Sequence, residues 1–575
     1  MTYTENFEKW LNYKGLDKDT RAELEEMQSD DQKIKEAFIT QLEFGTAGLR
    51  GIMRAGTNSM NIYTVRHATQ GIANLVKSQN AEKKGVVIAY DSRNNSVLFA
   101  QEAAKTFAAN KIVTYIFDDI RPTAELSFAI RHLGCTAGIN ITASHNPKEY
   151  SGYKAYWDDG AQLPPDYAEI VSDAINKTDI FEEVLTCDYQ QAVQDGIIKI
   201  IGKEIDGIYL QNILEQSVYH DIIKNADSGF KVIYTPLHGS GYKLVPEILK
   251  KRGLKNLLLV DEQMIIDGNF PTVKYPNPEF KEVFNTGIEI AKKENCSLLI
   301  GTDPDADRVG IVVQTDSGDF VTLSGNQVGS LLLDYIITAK KEQNKLDKNA
   351  CAIKTIVSTE LAERICRKNG VTMMNVLTGF KFIGEKIKQF EESGEYTYLF
   401  GFEESYGYLA GTYARDKDAV VASMLIVEMA AYYRGKNMTL YDAMQKLYDK
   451  YGYFEESVQN IEFEGIDGIE KMSKIMTLFR ENPPKDISGI AVSAIRDYET
   501  SVIKDLSTGK TSETGLPKSD VLYFDLANGS KVIVRPSGTE PKIKIYYLIE
   551  ANNKAEASTQ INNLKTAVTA ILNEG

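Results

Sequence analysis

The sequence predicts an α/β protein: successive units of parallel or mixed sheet flanked by helices, closed by a smaller C-terminal α+β domain. Three observations predict it. Short β-branched runs that stop at polar turns alternate with helical stretches along most of the chain. These runs are continuously apolar, as in strands covered on both faces, rather than alternating as in half-solvated ones. From about residue 480 the pattern changes to short strands around a polar segment, 503–520. A length of 575 residues also exceeds what one core supports and gives a prior of about three to five domains.

Taken in order, residues 1–40 are charged and helical, a cap rather than a catalytic unit. EFGTAGLRG at 43–51 is a glycine-rich loop whose Arg50 can reach an anion or simply lie in solvent. Helix 62–77, strand 85–91, helix 98–109 and strand 112–117 follow, and another strand ends at Ile141. Residues 166–200 read as helix and connector. A second unit has strands at 231–235, 256–260 and 297–301, with His238 in a turn before two glycines. A third spans about 320–450, with strands 352–357 and 397–400. The last carries KVIVRPSGTEPKIKIYYLI at 531–549 and a final helix. The expected domains are 1–205, 206–320, 321–480 and 481–575.

Composition excludes several classes. The formal charge is −15 with no long basic run, which argues against nucleic acid or an anionic membrane as partner. Five cysteines, at 135, 187, 296, 351 and 366, form no Cys-x-x-Cys pair and read as reduced thiols of a cytoplasmic protein. The polar, acidic start is no signal peptide, and the most apolar helical stretch, 422–433, carries Glu428 and is too short to span a bilayer. Neither GxGxxG nor GxxxxGK[ST] occurs.

Four stretches carry chemistry. In Thr142-Ala143-Ser144-His145-Asn146-Pro147 a strand ends at a hydroxyl beside an imidazole, the makings of a covalent nucleophile. Taken alone, such a pair is common in loops, and the glycines of a hydrolase elbow are missing. Asp303-Pro304-Asp305-Ala306-Asp307-Arg308 sets three carboxylates at every second position, expected on one side of an extended segment. Clustered anions repel unless a cation compensates, and hard oxygen ligands suit Mg2+. An EF-hand starting at Asp303 fails, because Arg308 and Gln314 replace its glycine and glutamate. Arg535-Pro536-Ser537-Gly538-Thr539 combines an arginine fork, two hydroxyls and a glycine-freed N–H, either a phosphate cradle or an ordinary turn. In Gly401-Phe402-Glu403-Glu404-Ser405, Glu403 and Ser405 can take paired sugar hydroxyls or face solvent.

Together the four, in this order, with FGTAGLRG near the start and TGFKFIG at 378–384, resemble the α-D-phosphohexomutase superfamily, most closely its bacterial phosphoglucomutase and phosphopentomutase branch. The resemblance covers nearly the whole chain. It implies three similar α/β domains and a C-terminal lid around a central cleft, each giving one loop. It implies Mg2+-dependent exchange of glucose 1-phosphate and glucose 6-phosphate through a phosphoserine and glucose 1,6-bisphosphate. Ser144 would be the phosphoserine, and Asp303, Asp305 and Asp307 would hold Mg2+ with an oxygen of the Ser144 phosphate. Glu403 and Ser405 would hold sugar hydroxyls; Arg535, Ser537, Gly538 and Thr539 would hold the phosphate that is not reacting. Arg50, His145, Lys154, Arg308 and Lys381 match basic residues around the reacting group, with His145 and Lys154 as proton-transfer candidates. Pro304-Asp305-Ala306 departs from the glycine-rich spacing of many relatives but keeps all three aspartates. The partners implied are sugar phosphates, met by a monomer or weak homodimer. Alternatives are a phosphopentomutase, a phosphomannomutase, a Mg2+-dependent phosphatase, or a non-catalytic sugar-phosphate binder, which would be expected to lose Ser144 or an aspartate.

Overall fold

The buried apolar runs become the inner strands of four sheets in the computed structural model, which describes residues 2–45, 48–463, 468–537 and 542–574. The chain divides into two compact units: Met1–Leu323 with Gly384–Gly394 and Tyr406–Thr439, and Ser324–Ile383 with Glu395–Ser405 and Leu440–Gly575.

The first unit holds two mixed sheets. Strands β1 (Leu49–Ile52), β2 (Val86–Tyr90), β3 (Thr114–Phe117), β4 (Ala137–Ile141), β5 (Tyr150–Trp157) and β6 (Ile198–Ile201) lie in the order β1-β5-β4-β2-β3-β6. The run β4-β2-β3-β6 is parallel, whereas β5 is antiparallel to β4 and β1 to β5. Every residue of β2 and β4 is buried, the consequence of helices on both faces. Three strands of this sheet fall outside the sequence expectation: β1 lies in the stretch read as a glycine-rich loop, β5 follows the serine loop, and β6 lies in the stretch read as helix and connector. β6 is a short edge with two exposed central residues, so it lacks the buried-run signal.

The second sheet contains β7 (Lys231–Thr235), β8 (Asn256–Leu259), β9 (Leu298–Thr302), β10 (Val309–Gln314) and β11 (Phe320–Leu323), in the order β11-β10-β9-β7-β8. Here too the parallel strands, β8-β7-β9, end in an antiparallel hairpin, β9-β10. The N-terminal cap comprises helices Tyr3–Asn12, Lys18–Met27 and Asp31–Phe38, started by Thr2, Asp17 and Asp30 as side-chain caps. They enclose their own core, in which Trp10 meets Phe38, Tyr63 and Phe181 edge-on. Helix Ala419–Arg434 buries Glu428, whose carboxylate accepts from Ser217 Oγ and the main-chain N–H groups of Val218 and Tyr219. Among the described residues no helix is long and apolar enough to cross a membrane.

In the second unit, β12 (Ala350–Thr355) pairs in parallel with β13 (Thr372–Val376) and β14 (Thr397–Glu403). After β14 the chain passes through β15 (Gly407–Leu409) in the first unit and returns at Leu440. The remaining strands are β16 (Tyr453–Glu462), β17 (Asp486–Ile487), β18 (Ile490–Asp497), β19 (Val502–Asp505), β20 (Thr511–Glu513), β21 (Leu522–Leu526), β22 (Lys531–Pro536) and β23 (Lys542–Ala551). They form an antiparallel sheet in the order β16-β23-β22-β21-β18-β19-β20, with β17 on β18. Helices Gly468–Glu481 and Lys554–Glu574 contribute to its apolar core. This is the α+β domain expected at the C-terminus, joined through β16 to residues ahead of 480.

On β16, burial and the neighbouring Glu455 push the Glu456 carboxyl up to about 7, against hydrogen bonds from Thr359 and Asn326 that favour its charge. A carboxyl whose folded pKa is raised contributes stability that is full below its unfolded pKa and lost as pH rises through the folded one. Glu456→Gln fixes it neutral, so the variant's stability relative to the parent should be flat below about pH 4.5 and grow up to about pH 8. Unfolding midpoints across that range check this; a pH-independent difference contradicts it.

Candidate active site

The serine loop joins β4 to β5, so it sits at the C-terminal end of a central parallel strand, where open α/β sheets place ligands. Ser144 is buried and left-handed, with φ of 52°. Its N–H donates to Thr142 Oγ1 at 2.8 Å, and its Oγ lies 3.2 Å from His145 Nδ1 and donates to Asp303 Oδ2 at 3.0 Å. Burial, with Arg308 and Arg50 nearby, pushes the His145 pKa well below its ordinary value, so the imidazole is neutral beside the hydroxyl.

Asp303, Asp305 and Asp307 do not lie on an extended segment as the spacing suggested. They occupy the tight turn of the β9-β10 hairpin, with Ala306 left-handed at φ 48°. Asp303 Oδ1 accepts from the N–H groups of Asp307 and Arg308 at 3.1 and 3.0 Å, closing the turn on itself. One carboxylate oxygen from each aspartate lies within 4.8 Å of the others, and all three residues are buried. Asp305 Oδ1 and Asp307 Oδ1 are buried without hydrogen-bond partners. Orphaned anionic oxygens converging with a third carboxylate and Ser144 Oγ fit a hard divalent cation. Burial, Asp305 and Asp307 raise the Asp303 pKa well above the carboxylate range. Asp307 is held below that range: burial opposes its charge, but Lys417, Lys154 and Arg308 prevail.

Lys154 stands on β5 opposite Asn140, and its Nζ is 2.7 Å from Asp305 and 3.4 Å from Asp307. Burial works against its charge, yet Asp305 and Asp307 raise its pKa, so it is an ammonium here. Arg308 pairs with Glu279 at 2.7 Å, and exposed Arg50 donates to Asn146 Oδ1 at 3.0 Å. Sequence reasoning missed Lys417, whose Nζ bridges Asp307 and Asp416 at 3.2 and 3.1 Å. Its only signal was a charged run, 415–418, in apolar surroundings. It also passed over Arg93, although Asp91-Ser92-Arg93 closes a buried strand. His238 is a structural turn residue, with Nδ1 on Ile265 O at 2.7 Å and Nε2 on Thr272 Oγ1 at 2.9 Å. The following Gly239 lets its loop meet the aspartate turn, since a Cβ there would lie 2.4 Å from Pro304 Cα.

In the second unit, Glu403 ends β14 and accepts from the N–H of Gly379, at the start of helix Phe380–Ser393, at 2.9 Å. Lys381 begins that helix, its ammonium 5.0 Å from the Phe382 ring, and Ser405 is half-buried. Thr355 Oγ1 donates to Glu404 at 3.2 Å. Burial raises the Glu404 pKa despite the opposing fields of Lys544 and Arg535. Arg535 faces Lys544 across β22 and β23, and Ser537 N–H donates to Lys542 O at 2.8 Å. The structure thus gathers Arg535, Lys544 and the 403–405 loop into one electrostatic neighbourhood. Lys544 went unnoticed, although Lys542-Ile543-Lys544 alternates as a strand with one covered face does. Gly538 and Thr539 lie outside the described residues.

Comparison with known proteins agrees with this geometry. Three family models match: phosphoglucomutase/phosphomannomutase alpha/beta/alpha domain I at residues 41–181, domain II at 208–318 and domain III at 324–451. A phosphoglucomutase of Staphylococcus aureus is 39% identical over 538 residues, 93% of this chain and 94% of its own. The solved structure of parafusin, a phosphoglucomutase of Paramecium, covers 93% of this chain and 96% of its own with a TM-score of 0.67 at 18% identity. A phosphoglucomutase/phosphomannomutase family protein from Burkholderia thailandensis has a TM-score of 0.64 at 16% identity, covering 92% and 97%. The chain belongs to the phosphoglucomutase/phosphomannomutase family, within the α-D-phosphohexomutase superfamily.

The orphaned carboxylates yield a test. Mg2+ at about 100 times its Kd should stabilise the parent by about 2.7 kcal/mol, read as a rise in unfolding midpoint. In Asp305→Ala that rise should shrink to near zero at the same concentration. An equal rise in both proteins would remove Asp305 from the cation site.

Proposed function

We propose that this protein interconverts glucose 1-phosphate and glucose 6-phosphate through a phosphorylated Ser144 and a glucose 1,6-bisphosphate intermediate. The observation that carries the reading is Ser144 Oγ at the end of β4, 3.0 Å from Asp303 in a buried three-carboxylate turn ringed by Lys154, Lys417 and Arg308. The 39% identity to a phosphoglucomutase over most of both chains supports the choice of sugar phosphate. The acidic net charge and five free cysteines support a cytoplasmic enzyme without a nucleic-acid partner.

In the forward half-reaction the bond between phosphorus and Ser144 Oγ breaks as a bond to the sugar O6 forms. The O6 proton leaves to a base, for which His145 is the candidate, its Nδ1 3.2 Å from Ser144 Oγ. The bisphosphate then turns over, and its C1 phosphoryl group passes back to Ser144 Oγ. Lys154 is already an ammonium and serves as a fixed positive charge or as the acid that protonates the departing oxygen. Asp303, Asp305 and Asp307 would hold Mg2+, which when bound would supply positive charge for phosphoryl transfer. Glu403 and Ser405 hold sugar hydroxyls, Lys381 and Arg50 add positive charge for the substrate, and Arg535 with Ser537 holds the phosphate that is not reacting.

Ser144→Ala should abolish turnover and the acid-stable label left by radiolabelled glucose 1,6-bisphosphate, with glucose 1-phosphate preferred over ribose 1-phosphate in the parent. Labelling that persists in the variant would place the nucleophile elsewhere; a preference for ribose 1-phosphate would make the protein a pentose enzyme.

Arg535 separates a mutase from a phosphatase. The clamped phosphate is held in both orientations of the bisphosphate, so Arg535→Ala should lower kcat/KM, by a factor that the unchanged equilibrium constant makes equal in the two directions. Loss of a charge-assisted contact costs about 1.5–3 kcal/mol, or about 10- to 150-fold. The variant should also need more added bisphosphate, because the intermediate escapes mid-cycle. Initial rates in both directions across a bisphosphate titration measure this, and unchanged kinetics would reopen the phosphatase reading.

A further inference from the structure

The Ser144 loop is gripped from behind by one arginine that touches none of the reacting atoms. The Arg93 side chain is fully buried at the end of β2. One terminal nitrogen donates to Ser144 O and Asn146 O, both at 2.6 Å; the other donates to Pro147 O at 2.8 Å and Tyr150 O at 3.1 Å. A single guanidinium therefore satisfies four main-chain carbonyls across the whole connection from β4 to β5. Its Nε pairs with the equally buried Asp91 at 3.3 Å, and Asp91 Oδ1 accepts from Arg93 N–H and Ser96 Oγ at 2.9 and 2.8 Å.

The neighbouring loop locks the other side. The Phe270 ring lies 5.2 Å from the guanidinium carbon, and Phe270 is itself buried and left-handed at φ 49°. Asn94 donates to Asn269 at 3.1 Å, and Gly268 packs so closely that a Cβ there would lie 2.3 Å from Asn94 N. The arginine is thus clamped by β2, by its aspartate and by the 268–270 loop, while the loop it holds has few regular hydrogen bonds of its own. A left-handed serine is an uncommon backbone that persists only where its surroundings impose it. Arg93 fastens that backbone through its carbonyl oxygens while Thr142 Oγ1 takes the Ser144 N–H, and only a planar fork with several donors can reach four carbonyls from one buried position.

We propose that Arg93 is a positioning residue for phosphoryl transfer. It holds the Ser144 backbone in the conformation that aims Oγ at Asp303 and the cation site. The inference rests on the reading of Ser144 as the phosphoryl carrier. Lysine at 93 retains the charge opposite Asp91 but offers a single donor centre, so the loop keeps its fold and loses its alignment.

Arg93→Lys should lower kcat, and the single-turnover rate of Ser144 phosphorylation by glucose 1,6-bisphosphate, on the order of 100-fold, the cost of a misplacement of about 1 Å. KM for glucose 1-phosphate should stay within about twofold, because Arg93 makes no contact assigned to substrate. Intact-protein mass spectrometry follows the phosphorylation, and the unfolding midpoint reports whether the variant is folded. Should it not fold, Asp91→Asn decides: it leaves Arg93 in place without its ion-pair partner and should slow phosphorylation by about tenfold with KM again unchanged. A folded Arg93→Lys protein, or failing that an Asp91→Asn protein, that phosphorylates Ser144 at the parental rate overturns the role of Arg93 alone. A rise in KM with kcat preserved overturns it too, since that is the mark of lost binding. A parent protein that takes no phosphoryl group at Ser144 sinks the mutase reading and this inference with it.

Discussion

Three carboxylates share one buried turn between β9 and β10, and much of the first unit is arranged to make that tolerable. Like charges at this separation, away from water, repel strongly, and desolvation penalises each of them singly. The protein answers with Lys154 from β5 and Lys417 from the segment before helix Ala419–Arg434, each reaching the cluster directly. Thr123 helps by donating its hydroxyl to the Asp305 carboxylate, while its N–H donates to the Asp305 main-chain carbonyl and fixes the turn. Even so, two carboxylate oxygens stay without hydrogen bonds and Asp303 remains hard to ionise. Buried carboxylate oxygens left without hydrogen bonds are the arrangement that a hard divalent cation fits.

The same constraint explains why the two chemical loops occupy equivalent places in their sheets. Both follow a buried strand of a parallel run, β4 in one sheet and β9 in the other, and both turn back into an antiparallel partner. Each return passes through a left-handed residue, Ser144 in one loop and Ala306 in the other. The returns bring Ser144 Oγ against Asp303 although the two residues are 159 positions apart. Loops held this firmly exchange charge rather than shape, which suits a reaction that depends on positioning and electrostatics.

The second unit balances charge in the opposite sense. Arg535 and Lys544 face each other across two strands, and both act on Glu404, whose pKa burial nevertheless raises. The result is a pair of cations beside a buried carboxyl, the reverse of the aspartate turn with its lysines.

What the sequence determined by itself was whatever depends on local pattern. Fully buried strands such as Val86–Tyr90 announce themselves as unbroken apolar runs, and Asp303, Asp305, Asp307, Ser144 and Arg535 stand out because each breaks such a run or follows one. The change of composition near 480 likewise foretold a smaller C-terminal α+β domain, though not that its sheet is antiparallel. Only the tertiary structure decided which distant groups share a charge field. Lys417 has no local feature to mark it as the partner of Asp307, and Arg93 reads as an ordinary strand-end arginine until its four carbonyl acceptors are seen. The aspartates converge through the turn of a hairpin, not through the period of an extended strand. Ion pairing and carbonyl satisfaction are settled by what the fold brings within a few ångströms, and sequence separation carries no record of that distance.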